Sequence, residues 1–182
     1  MKRILLISVL MILALSISFS QIAYKKGDQV VNLGIGIGGF AGAYGSGGIA
    51  ITGGYENAVN ENISLGGVVG YSSSTEDFGY GYGYKYTYIL IAARGAYHYD
   101  LLHNPNVDTY GGVLLGYNIV SNSVTGNVPS YYGYYGTTSA SASFLEFGLF
   151  AGIRYYFNPK LAVQAELGYG LGILNIGLAY KL

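Results

Sequence analysis

The chain has no cysteine, and only 10% of its 182 residues carry a charge, with a formal net charge of zero. Without cysteine there are no disulfides, no thiolate metal sites and no lipid-modified N-terminal cysteine. So small and balanced a charge leaves no basic surface for holding nucleic acid through its phosphates. Disorder is excluded on other grounds: 51% of the residues are hydrophobic, and unfolded chains combine low hydrophobicity with high net charge. Beyond the first twenty residues no apolar run approaches the ~20 residues of a membrane-spanning helix. The length suits one domain.

What the chain does have is 30 glycines and 21 tyrosines. Glycine stands at more than twice its average usage of about 7%. It weakens helix interiors, whereas tyrosine and the β-branched residues favour strands. The composition implies an all-β protein.

The first twenty residues read as an address. Lys2 and Arg3 precede the apolar run 4–15, and Ser18-Phe19-Ser20 places small residues where a signal peptidase looks. Cleavage is expected between Ser20 and Gln21, which divides the chain into a signal peptide, 1–20, and a single domain, 21–182. The run is too short to remain as an anchor.

The rest alternates with period two. Val31, Leu33, Ile35 and Ile37 alternate with Asn32, Gly34, Gly36 and Gly38, and the pattern recurs over 49–56, 63–72, 89–99, 112–119, 145–157, 161–169 and 174–182. Repeated alternation over ~10 residues is the signature of a transmembrane barrel, though a soluble sandwich alternates too. Two further features separate them. The connections at 57–62, 100–106 and 158–160 are compact, whereas those at 40–48, 72–83 and 121–139 are longer and rich in Gly, Ser and Tyr. Short periplasmic turns and long external loops characterise outer-membrane barrels.

The aromatic residues also sort by strand direction. With both termini periplasmic, Tyr71, Tyr117 and Tyr169 fall at the outer ends of upward strands. Tyr55, Tyr97, Tyr99, Tyr155, Phe157 and Tyr180 fall at the inner ends of downward ones. All share the apolar parity, as two membrane-interface rings require. The expected fold is an eight-stranded antiparallel up-and-down transmembrane β-barrel. Such a sheet closes because hydrocarbon leaves no partner for a free edge, and it encloses a space just filled by side chains.

The opposite parity carries Glu56, Arg94, His98, Glu146, Arg154 and Glu166, with Asp108 and Lys181 nearer the inner rim. Buried charges persist when paired, so these residues are expected to form a structural network that plugs the lumen. The alternative is a selectivity path through a narrow channel. Catalysis is not expected: the two histidines, His98 and His103, lie at the inner rim and in a periplasmic turn, away from the outer leaflet where barrel lipid enzymes act. No metal site or cofactor is implied. The Gly/Tyr repeats at 78–88 and 131–135 extend strands above the bilayer, form a contact surface or drive self-association.

The segments 84–99, 108–118 and 152–169 resemble those of the outer-membrane protein β-barrel domain family, small eight-stranded barrels similar to the OmpA transmembrane domain. The resemblance covers nearly all of the mature chain. It implies residence in outer-membrane lipid and assembly by the outer-membrane insertion machinery, which reads the last strand. Three functions remain: a structural or surface-exposed protein that meets an extracellular ligand through loops 40–48, 72–83 and 121–139, a narrow pore or transport accessory, and a lipid-modifying enzyme. A secreted Gly/Tyr-rich assembly protein would leave the two aromatic rings unexplained.

Overall fold

The computed structural model describes residues 23–38, 48–77, 82–126 and 140–182. They form eight strands: β1 (Gln29–Ile37), β2 (Ile49–Ala58), β3 (Ile63–Asp77), β4 (Tyr82–His98), β5 (Val107–Gly126), β6 (Ala140–Tyr156), β7 (Leu161–Tyr169) and β8 (Leu174–Lys181). Each pairs antiparallel with its sequence neighbours, and β8 returns to β1, so the sheet is a closed barrel. The alternation fixes the two faces. Leu33, Ile35, Ile51, Leu65, Ile91, Leu115 and Leu167 point outward and are exposed, while Asn32, Thr52, Glu56, Arg94 and Gln164 on the other parity are buried. An exterior this apolar around a polar interior reverses the order of a soluble protein.

The strands are strongly staggered. Register partners lead from Gln29 to Asn57, Leu65, Gly95, Val113, Leu149 and Tyr169. That path starts at the terminal end of β1 and finishes at the far end of β7. Such stagger tilts the strands against the barrel axis. The apolar belt respects the tilt. Its highest outward residues on β3, β4 and β5 are Tyr71, Ile89 and Ile119, which share one row. On β6 that row holds Ser143, and the belt ends one step lower, at Leu145. On β7 it ends two steps lower again, at Tyr169 beside Leu149. Because the rows climb from β1 to β7, a border that steps down through them is level, as the edge of a lipid layer must be.

Strand lengths depart from the sequence reading at the far end. The connection expected at 72–83 begins only after Asp77 and ends before Tyr82, and that at 121–139 begins after Gly126. The reason is alternation of another kind. Serine, threonine and tyrosine replace the aliphatic residues, and the ladder continues without hydrophobic contrast. Tyr84, Tyr86 and Tyr88 thus belong to β4 on its inward parity, and Tyr88 is buried. The segment 131–135 and nearly all of 40–48 lie outside the described residues.

The turn between β7 and β8 folds inward. Gly170 and Gly172 take φ of 126° and 106°, conformations open to glycine without penalty. Between them Leu171 is only 5% exposed and joins the core.

A barrel closed by a complete hydrogen-bond circuit resists detergent until heated. Unboiled and boiled samples are therefore expected to migrate differently on a denaturing gel. Identical mobility of membrane-extracted protein would contradict closure.

Candidate functional site

The lumen holds the chain's buried chemistry, in two layers. Toward the terminal end, Arg154 is the hub. Its Nη2 donates to Glu56 Oε1 at 2.5 Å, its Nε donates to Gln164 Oε1 at 3.2 Å, and its Nη1 lies 3.5 Å from Asp108 Oδ2. Its guanidinium sits 4.4 Å over the Tyr110 ring. Arg94 Nη2 donates to Glu166 Oε1 at 2.8 Å and reaches Glu56 Oε1 at 3.5 Å, with its guanidinium 4.2 Å over Phe150. The Tyr110 hydroxyl donates to the same Glu166 oxygen at 2.7 Å. Both arginines are all but fully enclosed, and in such a place paired carboxylates and ring faces replace water.

Glycine makes the space. A Cβ on Gly152 would lie 2.5 Å from Tyr110 Cζ, and one on Gly112 would lie 2.5 Å from Phe150 Cζ. Each ring lies over the glycine paired with it on the neighbouring strand, in the space a side chain there would fill.

Below the arginines runs a chain of hydrogen bonds. His98 Nδ1 lies 2.7 Å from Asp108 Oδ1, and Nε2 lies 2.9 Å from Ser64 Oγ. The Ser64 hydroxyl donates to Glu56 Oε2 at 3.2 Å. Tyr24, just before β1, stacks on His98 with centroids 3.7 Å apart and planes 10° from parallel. Its hydroxyl donates to Asn60 O at 3.2 Å. Burial, and then the Asp108 carboxylate, push the Tyr24 phenol above its ordinary range, so it stays a neutral donor. At the rim Lys181 Nζ pairs with Asp28 at 2.7 Å and lies 4.6 Å over the Tyr156 ring.

Ser64, His98 and Asp108 have the connectivity of a nucleophile, base and orienting acid. Their surroundings set them to another task. Ser64 is enclosed, its hydroxyl held between His98 Nε2 and the Glu56 carboxylate. A cavity of about 370 Å3 at this mouth is lined by Tyr24, His98, His103, Asp108, Glu61 and Asn104, and Ser64 is not on its wall. The arrangement holds protons and cross-links β2, β3, β4 and β5. It does not present an attacking oxygen.

The second layer is largely apolar, with the buried Asn118–Glu146 pair beside it. Val68, Tyr88, Leu90, Leu114, Phe150 and Leu171 form one buried cluster in the far half of the lumen. The sequence reading expected aromatic side chains in the lumen but did not single out this aliphatic cluster. The signal was present where alternation breaks down, as in Tyr88-Ile-Leu-Ile91 and Val113-Leu-Leu115, with apolar residues on both parities.

Of the residues singled out from the sequence, Glu56, Arg94, Arg154 and Glu166 meet in one cluster, and His98 joins it through Ser64. Glu146 has a different partner, accepting from Asn118 Nδ2 at 2.7 Å. Ser64, Gln164, Tyr110 and Asn118 were not foreseen as members. Tyr71, Tyr117 and Tyr169 stand exposed on the outer wall toward the far end, and Tyr55, Tyr97, Tyr99, Tyr155 and Tyr180 toward the other. Phe157 lies just past β6, edge-on to Tyr155 with centroids 5.5 Å apart. Ser20 and Gln21 fall outside the described residues.

The model for the outer membrane protein beta-barrel domain matches residues 7–179. No curated protein matches the chain in sequence. Among solved structures it is similar to Ail, the attachment invasion locus protein of Yersinia pestis, with 15% identity, a TM-score of 0.53, and 86% of this chain and 98% of that chain covered. Ail is also known in complex with the heparin analogue sucrose octasulfate. Neisserial surface protein A gives 12% identity and a TM-score of 0.57 over 85% and 96% of the two chains. The N-terminal barrel domain of Pseudomonas aeruginosa OprF gives 14% and 0.54 over 87% and 100%. At these identities the likeness is one of fold.

Arg154→Ala leaves Glu56 and Asp108 facing each other without their shared cation. Breaking a buried pair this way costs about 3–5 kcal/mol, and the heat-induced mobility shift should move to a clearly lower temperature. Conductance should not rise, because the apolar layer is untouched; an Arg154→Ala barrel of normal stability that conducts freely would overturn the plug. Gly152→Val drives a side chain into Tyr110, and the strain of overpacking, about 1–3 kcal/mol, should lower the same transition.

Proposed function

The chain belongs to the outer membrane protein beta-barrel domain family, and from that premise we propose that it is a non-conducting, non-catalytic barrel whose work is done at its external face, as a surface-exposed structural or binding protein. One observation carries this reading: among the described residues the lumen is filled in both halves, by paired charges below and, above, by an apolar cluster together with the Asn118–Glu146 pair. A pore needs a continuous wet path. A lipid-modifying enzyme needs an accessible nucleophile near the lipid, and Ser64 is enclosed at the periplasmic end.

The external segments limit the ligand. Loops 40–48, 72–83 and 121–139 contain no lysine or arginine, and they carry Glu76 and Asp77. The strand extensions beside them add one exposed lysine, Lys85 on β4, too little positive charge to hold a polyanion such as the heparin analogue found with Ail. Tyrosine and glycine dominate instead, which suits a neutral partner held by amphipathic ring contact.

The N-terminus fits the same orientation. Cleavage between Ser20 and Gln21 makes Tyr24 the fourth residue of the mature chain, and Tyr24 caps the periplasmic mouth on His98. β8, the strand that closes the barrel against β1, is then the one offered to the insertion machinery.

In planar bilayers the purified protein is expected to give no open-channel steps, and on immobilised heparin it should elute at or below physiological salt. Stepwise conductance would replace this reading with the pore; tight heparin retention would transfer the Ail-like ligand class to this chain. Mass spectrometry of the mature protein should place its first residue at Gln21.

A further inference from the structure

Above the lipid-facing belt the outer wall changes chemistry within a single residue pair. The row Tyr71, Ile89, Ile119 is followed two residues further out by Ser73, Thr87 and Ser121, and register extends that row to Ser141. The next row holds Thr75, Lys85 and Ser123. All are exposed or half-exposed. Strand geometry spaces these side chains ~4.8 Å apart along a row and ~6.8 Å between rows. The result is a lattice of hydroxyls on β3, β4, β5 and β6. Among the described residues it occupies one side of the barrel, since β1, β2, β7 and β8 are bounded there by Ile37, Ile49, Tyr169 and Leu174.

We propose that this lattice is a docking surface for the saccharide headgroups of glycolipid in the outer leaflet. Continuity is the first reason. The wall directly below is covered by acyl chains, and the headgroups of those same lipids are held beside the hydroxyl rows. The second reason is charge. Lys85 is the one ionised side chain in the two rows, whereas a strand wall shaped only for water commonly carries several charges. Each hydroxyl offers one donor and two acceptor positions, the inventory a neutral sugar itself presents.

The test measures binding of rough lipopolysaccharide to the folded barrel by native mass spectrometry. The variant Ser73→Ala/Thr87→Val/Ser121→Ala/Ser141→Ala removes one row of hydroxyls and keeps strand-compatible side chains. Its affinity is expected to fall about tenfold, the scale of a few lost neutral hydrogen bonds, with phospholipid binding unchanged. Ser121→Ala/Ser141→Ala, a milder change whose folding the gel-mobility shift verifies, should give an intermediate loss. Dephosphorylated lipopolysaccharide should bind wild type as well as the native form. Unchanged affinity in both variants would overturn the proposal. So would loss of wild-type binding on dephosphorylation, which would make phosphate and Lys85 the contact.

Discussion

Every feature of this protein follows from one constraint: in hydrocarbon a backbone amide or carbonyl has no partner except another backbone group. A sheet placed there must have no edge, so β8 returns to β1. Closure of antiparallel neighbours with both ends on one side demands an even number of strands, and eight enclose an interior that side chains can fill. The stagger from Gln29 to Tyr169 is the geometric consequence, and the level border of the apolar belt is that stagger seen against a flat lipid layer.

Closure creates a second problem, which the interior resolves. An inward wall screened from lipid and water must satisfy its own polar groups. The chain divides the task by height. Glu56 collects contacts from Arg154, Arg94, Ser64 and Asn32, so one carboxylate ties several strands together near the end where the chain enters and leaves the barrel. Above it, Leu90, Leu114 and Phe150 need no partners and pack against one another. Glycine at the paired positions of neighbouring strands makes room for both layers. The high glycine count is thus bound up with a lumen that must hold arginine and tyrosine lying across it.

Legibility differed with the kind of contrast each region carries. Between Val31 and Ile37 aliphatic residues alternate with glycine and asparagine, and the strand could be placed nearly to the residue. From Ser72 to Asp77 and from Ser121 to Gly126 no hydrophobic contrast remains, although the ladder continues, so strands were read as loops. The inward parity of Glu56, Arg94 and Arg154 was readable, because a charge cannot face lipid. Their pairing was not: Arg154 and Glu56 are 98 positions apart, and only register and stagger bring β2 and β6 across one lumen. Leu90 and Leu114 were hidden by their apolar neighbours, since an aliphatic residue fits either face.

The sequence by itself determined the class, the even strand count, the closure and which parity meets lipid. These depend on local patterns that one solvent imposes: period two for a strand, apolar for hydrocarbon, tyrosine for the interface. Tertiary structure alone decided which charges share a cluster, that an apolar cluster occupies much of the far half of the lumen, that Leu171 folds inward, and that serines and threonines from four strands align in rows beyond the apolar belt. Those outcomes depend on stagger and on distances across the barrel, and such distances exist only once the sheet has closed.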